Sequence, residues 1–399
     1  MINENIPTNV FALRQSEFRA IPGCPWVYWA PPLIRDLFLS STPMGEIAPS
    51  IHGTGTYDNF RFLRLWWEAG IRNIFFGGKN WLEFENSNKK YVPYMKGGEF
   101  KRWYGNQDYI LQLVFKGRSL IEFLNEKRDS IRGREKIFNV GITYSFLTSG
   151  NFSARISPGG FIFDVAGSSL FPKNILLYLA ILNSRFANYI LKLVNPTVNF
   201  QVGDLARIPV PKKSSHTLEK LIVISIQLSK YSSSSDEVTY DFILPHWWKE
   251  NNQDILNVQE KITKLESSIN DEVYEIYGIS FADSNIIEAD LSENAILNDE
   301  SILAQSKENE DEEESSNLST IKNLSVSWLS YAIGIILDRF QPGTPGALGS
   351  AIYRCTDFVI GSLPEPTEEE FNELVGEPSQ FAYIDEQGGR HVFYRPVEQ

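Results

Sequence analysis

Residues 91–105, YVPYMKGGEFKRWYG, hold the densest set of side chains in the sequence that could engage a polyanion. Lys96, Lys101 and Arg102 could neutralise phosphates, while Tyr91, Tyr94, Phe100, Trp103 and Tyr104 could stack on bases or sugars. The Gly97-Gly98 pair among them lets a backbone approach a partner closely. A strand–turn–strand with solvated lysines has the same composition, so both readings stand at this point. Other chemistries find less support. His52, His216, His246 and His391 lie far from one another and from Cys24 and Cys355, and no metal-ligand spacing arises. Ser145 and Ser169 lack a nucleophile-elbow context.

The charge is uneven along the 399 residues, whose formal net charge is −13. Residues 1–282 carry 31 basic and 27 acidic side chains, a balance of +4; residues 283–399 carry 6 and 23, a balance of −17. Within 61–136 the count is 16 against 9, a local +7. A basic binding face with an acidic appendage would show this asymmetry. Two distant cysteines give no disulfide framework, and a reducing cytoplasm is the default expectation. The N-terminal residues show no signal-peptide pattern, and the longest apolar runs, such as Ile175 to Leu182, are too short for a bilayer, so no membrane partner is expected.

The elements that would position these side chains follow from periodicity. Trp26–Trp29 reads as a strand stopped by Pro31-Pro32, and Leu33–Phe38 as a short helix. Residues 51–170 read mostly as strands joined by Gly-rich turns, among them Ile71–Phe76, Ile137–Phe146 and Phe161–Val165. Ser119–Arg128 suits a helix, with a charged connector over Glu126–Glu135. Residues 174–195 carry apolar positions at helical spacing and predict one amphipathic helix. Phe200–Pro211 reads as a strand closed by prolines, and 216–230 and 253–277 as helices, the latter stopped at Gly278. The acidic stretch 283–320, with ENEDEEESS over Glu308–Ser316, predicts a disordered linker. Residues 321–340 return to helix, Gln341–Ser350 is rich in Pro and Gly, and a hairpin is expected around Gln387–Gly389.

Four blocks, in this order, resemble the PglX-type adenine-specific DNA methyltransferases of BREX phage-defence systems and their restriction-modification relatives. They are GTGTYDNFRFLRLWWE from Gly53, the Tyr91–Gly105 block, GITYSFLTSGNFSARISPGGFIFDVAGSSLFP from Gly141, and the run from Leu182 through Asn195-Pro196-Thr197 to Leu205. Leu265–Ile279 resembles the helix that closes many such recognition domains, and Ser330–Phe340 a C-terminal helical block. Members of this family carry a Gly-rich S-adenosylmethionine loop and an Asn-Pro-Pro-aromatic motif. Neither has a counterpart here: Asn195-Pro196-Thr197 lacks the second proline and the aromatic, and Gly53-Thr54-Gly55 is followed by no convincing helix. Gln112-Leu113 stands where the family has Asn-Trp, and Tyr57 alters the first block.

The resemblance implies the C-terminal target-recognition half of such an enzyme, from a split gene or a truncated reading frame. The expected class is α+β, a mostly β target-recognition domain followed by a helical spacer and a small helical C-terminal part, with no cofactor-binding Rossmann-like methyltransferase domain in this chain. The expected divisions are a lead-in segment or linker over 1–50, the DNA-binding target-recognition domain over 51–215, a helical spacer over 216–282, an acidic disordered linker over 283–320 and a helical, acidic region over 321–399. No catalytic, metal or cofactor site is expected here, S-adenosylmethionine belonging to the missing catalytic half. The implied partner is double-stranded DNA, with that catalytic half or other defence-system proteins. Arg and Lys suit phosphates and guanine edges, Asn suits adenine. On that basis the candidate DNA-binding residues are Asn59, Arg61, Lys96, Lys101, Arg102, Trp103, Tyr104, Arg118, Arg132, Arg134, Arg155 and Asn199. Trp103 and Tyr104 would either stack on a base or pack in a core. A non-catalytic specificity or scaffolding protein, or a fragment of a fused restriction-methylation enzyme, is the alternative.

Overall fold

The computed structural model describes residues 13–69, 73–146, 152–195, 197, 199–239, 242, 245, 252–303, 325–337, 378–384 and 390–396. The acidic core Glu308–Ser316, the Gln341–Ser350 stretch and the Gln387–Gly389 turn lie outside these residues. The fold is mixed α/β with several small sheets and many helices, and the described strands close no barrel.

The chain opens with a 3-10 turn and then α1 (Pro32–Ser40), whose first position is a proline, where the missing N–H costs nothing. β1 (Thr42–Pro43) and α2 (Met44–Ile47) follow, then α3 (Asn59–Phe62) and β2 (Leu63–Leu65). α4 (Trp81–Asn86), β3 (Tyr91–Met95), β4 (Tyr109–Gln112) and α5 (Arg118–Glu126) complete the first half. β5 (Gly141–Tyr144), β6 (Ala154–Ser157), β7 (Ile162–Phe163) and β8 (Ser169–Leu170) come next. Two sheets result: β2-β4-β3-β7, antiparallel except for β3 with β7, and the antiparallel β6-β5-β8.

The expectation of a mostly β region over 51–215 needs correction. Its strands span only two to five residues each, and helices lie between them. Trp26–Trp29 is a turn, not a strand, and of Ile71–Phe76 only Ile74 makes an isolated bridge among the described residues. Phe200–Pro211 is also not one strand. Asp204 accepts from the Gln201 N–H and turns the chain into α8 (Val202–Leu205) before the two-residue β9 (Pro209–Val210). β9 pairs with β1, Thr42 opposite Val210.

The stretch read as one amphipathic helix is two, α6 (Ile175–Asn183) and α7 (Arg185–Val194). Ser184 is extended (ψ 158°); its Oγ accepts from the Ala187 N–H at 3.1 Å and donates to the Ile181 carbonyl at 2.6 Å. One hydroxyl closes α6 and caps α7. α6 is apolar almost all round and correspondingly buried from Leu176 to Asn183. Ser184→Ala should therefore lower the unfolding free energy by about 1–2 kcal/mol, read from the urea midpoint; an unchanged midpoint would show that backbone packing alone fixes the break.

α9 (His216–Ser233) and α10 (Asn252–Tyr277) occupy the spans expected for helices. α10 stops at Gly278 (φ +68°), where Ile279 N–H reaches the Tyr274 carbonyl and Gly278 N–H the Glu275 carbonyl, the paired bonds of a left-handed helix end. α11 (Phe281–Leu303) corrects the disordered-linker expectation for the start of the acidic stretch. Its sequence contains neither Gly nor Pro, and Ile287 anchors it in the core. α12 covers 325–336, and β10 (Pro378–Ile384) pairs antiparallel with β11 (Arg390–Pro396) as the expected hairpin. No described helix is long and apolar enough to cross a membrane.

Two apolar cores hold these elements. One gathers Phe62, Trp66, Phe84, Tyr94, Leu111, Leu124, Phe138 and Phe163 about the four-stranded sheet, with Tyr331 of α12 joining it. The other joins the three-stranded sheet to α1, α6, α7, α9 and α10.

Candidate nucleic-acid interface

Most of the Tyr91–Gly105 block is turned inward. β3 buries Val92 through Met95, and the Tyr94 hydroxyl donates to the Thr54 carbonyl at 2.6 Å. Gly97 approaches closely, but its neighbour is the chain itself: an added Cβ would lie 2.5 Å from the Ala166 carbonyl oxygen. Gly98 (φ +107°) then turns the chain under the amide of Asn106, which donates to the carbonyls of Gly97 and Glu99.

Trp103 and Tyr104 are buried, so the core alternative holds for this pair and neither ring can stack on a base in this conformation. Trp103 runs beside β6, its N–H donating to the Ala154 carbonyl and its own carbonyl accepting from Ile156. The same Ala154 exchanges both backbone hydrogen bonds with the Asn183 side-chain amide at 2.8 Å. A side chain thereby satisfies backbone groups that an edge strand would leave open. Arg102 and Trp103 share one carboxylate on α10: Glu266 accepts from Arg102 Nη1 at 2.7 Å and from Trp103 Nε1 at 2.9 Å. Lys101 sits 3.9 Å from Asp236. A cleft of about 680 Å³ with a mixed polar and apolar lining opens beside these residues, walled by the end of α9, α10 and α12. It carries Asp236, Glu237 and Glu266 as well as Lys101 and Arg102, so it is not a basic groove.

Arg155 was a candidate contact and is instead fully buried. Its guanidinium donates to the Gly97 carbonyl at 2.5 Å and to Ser145 Oγ at 3.2 Å, locking β6 to the glycine turn. Burial pulls its pKa down to about 10, with Asp108 opposing, so the group is still charged at neutral pH. Asn199 is half-buried; its carbonyl accepts from Asn195, while its buried side-chain Oδ1 has no hydrogen-bond partner among the described residues. Lys96 is half-buried against the Tyr109 ring at 5.2 Å.

Asn59, Arg61, Arg118 and Arg134 are exposed and Arg132 is half-buried, and several of them converge around α3 and α5. Asp58 caps α3 by accepting from the Arg61 N–H at 3.0 Å, and Thr56 Oγ1 donates to Asn59 Oδ1 at 2.5 Å. The exposed Arg61 guanidinium lies 4.8 Å from the Phe62 ring centroid and 5.0 Å from Phe123 on α5. Lys127 stands 5.4 Å from the same Phe123 ring. Arg132 makes two hydrogen bonds to Asp129, each 3.0 Å, and Asp129 also accepts from the Tyr57 hydroxyl at 2.7 Å. Burial pushes the Asp129 carboxyl up, but the bonds from Tyr57, Ser130 and Arg132 outweigh it and hold its pKa low. Near the start of α5, exposed Arg118 follows Gly117, which abuts Trp81, and the exposed Arg134 lies 5.0 Å from that same ring. Of the sequence-derived candidates, Asn59, Arg61 and Arg132 thus gather on one surface. Lys101 and Arg102 belong to the cleft, away from that cluster's contacts.

Phe60 and Lys127 also belong to this surface. Phe60 is 93% exposed, beside Arg61. An aromatic flanked by Asn59 and Arg61 was a weak signal, because the same pattern occurs on packed helices. Lys127 sat in what reads as a charged connector.

No family model matches the chain. It is 31% identical over 347 residues to the adenine-specific methyltransferase BrxX of Escherichia coli O9:H4 (strain HS), covering 82% of this chain and 27% of that protein. It is 29% identical over 365 residues to the adenine-specific methyltransferase PglX of Lacticaseibacillus casei (strain Zhang), covering 84% of this chain and 28% of that protein. The chain spans little more than a quarter of the length of the curated relatives it matches. Two relatives at this identity, aligned over more than four-fifths of the chain, make it a PglX-type relative of the adenine-specific methyltransferases.

Proposed function

We propose that this chain is the DNA-recognition portion of a site-specific adenine DNA methyltransferase of a phage-defence system. It holds duplex DNA in register while a catalytic half, which binds S-adenosylmethionine, modifies the adenine. The observation that carries the reading is the solvent-facing cation and aromatic cluster on α3 and α5, in a chain related to adenine-specific methyltransferases. Cations set phosphate register without reading sequence, and that suits a surface where the Arg61 guanidinium and Lys127 ammonium rest on the Phe123 ring.

The test is binding of the purified chain to a random-sequence duplex across a salt series. Affinity should fall steeply with salt, and the Arg61→Ala/Lys127→Ala double variant should lower the log–log slope by about 2, near one per phosphate contact. Absence of binding at the lowest salt, or an unchanged slope in the double variant, would overturn the assignment. The scaffold reading would then lead. It draws on α12, where Val326, Leu329, Ile333 and Ile336 recur at helical spacing and are exposed.

A further inference from the structure

Phe60 is held in solvent by an unusually complete mount. Single exposed aromatics are common and carry no meaning alone. Here, however, the four-residue turn that bears the ring is fixed on every side. Asp58 caps it, and its carbonyl also accepts from the Phe62 N–H at 3.1 Å. Arg64 Nη1 donates to the Phe60 carbonyl itself at 2.7 Å. Phe62, two residues on, is buried in the core against Phe123. On the other side Tyr57 adopts φ +55°, a strained value for this residue, and its hydroxyl is tied to Asp129. The backbone that carries the ring is thus already ordered, so binding would cost only the rotamer freedom of the side chain.

Several cations surround it. Arg61 shares its turn and Arg64 follows in β2, Lys127 lies across the Phe123 ring from Arg61, and Arg132 is joined to Tyr57 through Asp129. Of the nearby carboxylates, Asp58 accepts in the cap and Asp129 in the brace, while Glu122 and Glu126 are exposed on α5. An apolar plate projecting from a rigid turn between cations matches the needs of a side chain that enters a base step. Phosphates on either side would be held while the ring replaces a neighbouring base in the stack.

We infer that Phe60 is a wedge that inserts between adjacent base pairs of bound duplex DNA and unstacks them. The inference rests on the DNA-recognition reading. It is tested with the full chain and two synthetic duplexes of the same sequence, one intact and one with a single tetrahydrofuran abasic site. The abasic duplex has a gap in its stack, so the wild-type chain should bind it about tenfold more tightly. Phe60→Ala should keep its salt slope on the intact duplex and its thermal midpoint, yet lose the abasic preference to within about twofold. Phe60→Trp should retain it. A wild type with no abasic preference, or a Phe60→Ala variant that keeps it, overturns the wedge while leaving the recognition reading in place. Failure of the wild type to bind either duplex at low salt instead overturns the recognition reading, and the wedge with it.

Discussion

Arg155→Ala should be the most damaging single substitution away from any binding surface, lowering the unfolding free energy by about 3–5 kcal/mol. Two effects add. The Gly97 carbonyl and Ser145 hydroxyl lose the charged donor but keep their bonds to the Asn106 amide and the Gly98 carbonyl, so the lost hydrogen bonding costs about 1–3 kcal/mol in all. The long side chain also leaves a void beneath β6, because Arg155 is among the largest fully buried side chains. Arg155→Met separates the two, since it refills the volume but offers no donor. Urea unfolding followed by far-ultraviolet circular dichroism should place Met between the wild type and Ala. A Met variant as stable as the wild type would mean that the hydrogen bonds contribute nothing net.

Glu266→Ala should cost about 2–4 kcal/mol. The carboxylate serves Arg102 and Trp103 together, and both it and the guanidinium are mostly buried, with 22% and 17% of their side chains exposed. Removing it strands a cation in a poorly solvated site, which is worse than removing both partners. Glu266→Ala combined with Arg102→Ala should therefore be less destabilised than the sum of the two single variants, by at least about 1 kcal/mol in a double-mutant cycle. Glu266→Gln keeps an acceptor for Trp103 Nε1, so the step from Gln to Ala reads the indole bond and the step from Glu to Gln reads the charge. Additive single effects in the cycle would show that the pair is solvated in solution.

Particular elements show what the sequence could and could not reveal. α9, α10 and α5 were legible because their apolar residues recur every three or four positions and their ends carry Ser215, Gly278 and Gly117. The break at Ser184 was not, because apolar periodicity continues across it and only a local hydroxyl bond divides the helices. The Tyr91–Gly105 block shows the harder failure. Aromatics interleaved with cations look alike whether they face a polyanion or their own protein. The partner that decides between these, Glu266, lies more than 160 residues away in sequence and leaves no local trace. Arg155 failed for a related reason, since arginine is seldom fully buried and nothing in ARIS signals the carbonyl cage that holds it. The Asn59–Arg61 turn was legible as a candidate, but the prominence of Phe60 depends on which side of a four-residue helix faces the core.

The pairing of β1 with β9 also bears on how the chain reaches this state. Thr42 meets Val210 only after a loop of more than 160 residues has closed, and Trp29 meets Asp290 across a still longer one. Such high contact order slows folding, because closure entropy is lost before any contact compensates for it. Ile21, Val27, Ala30, Ile34 and Met44 belong to the core that α9 and α10 complete, so their apolar surface is covered only once those later helices are in place. Until then, aggregation through these uncovered side chains competes with folding.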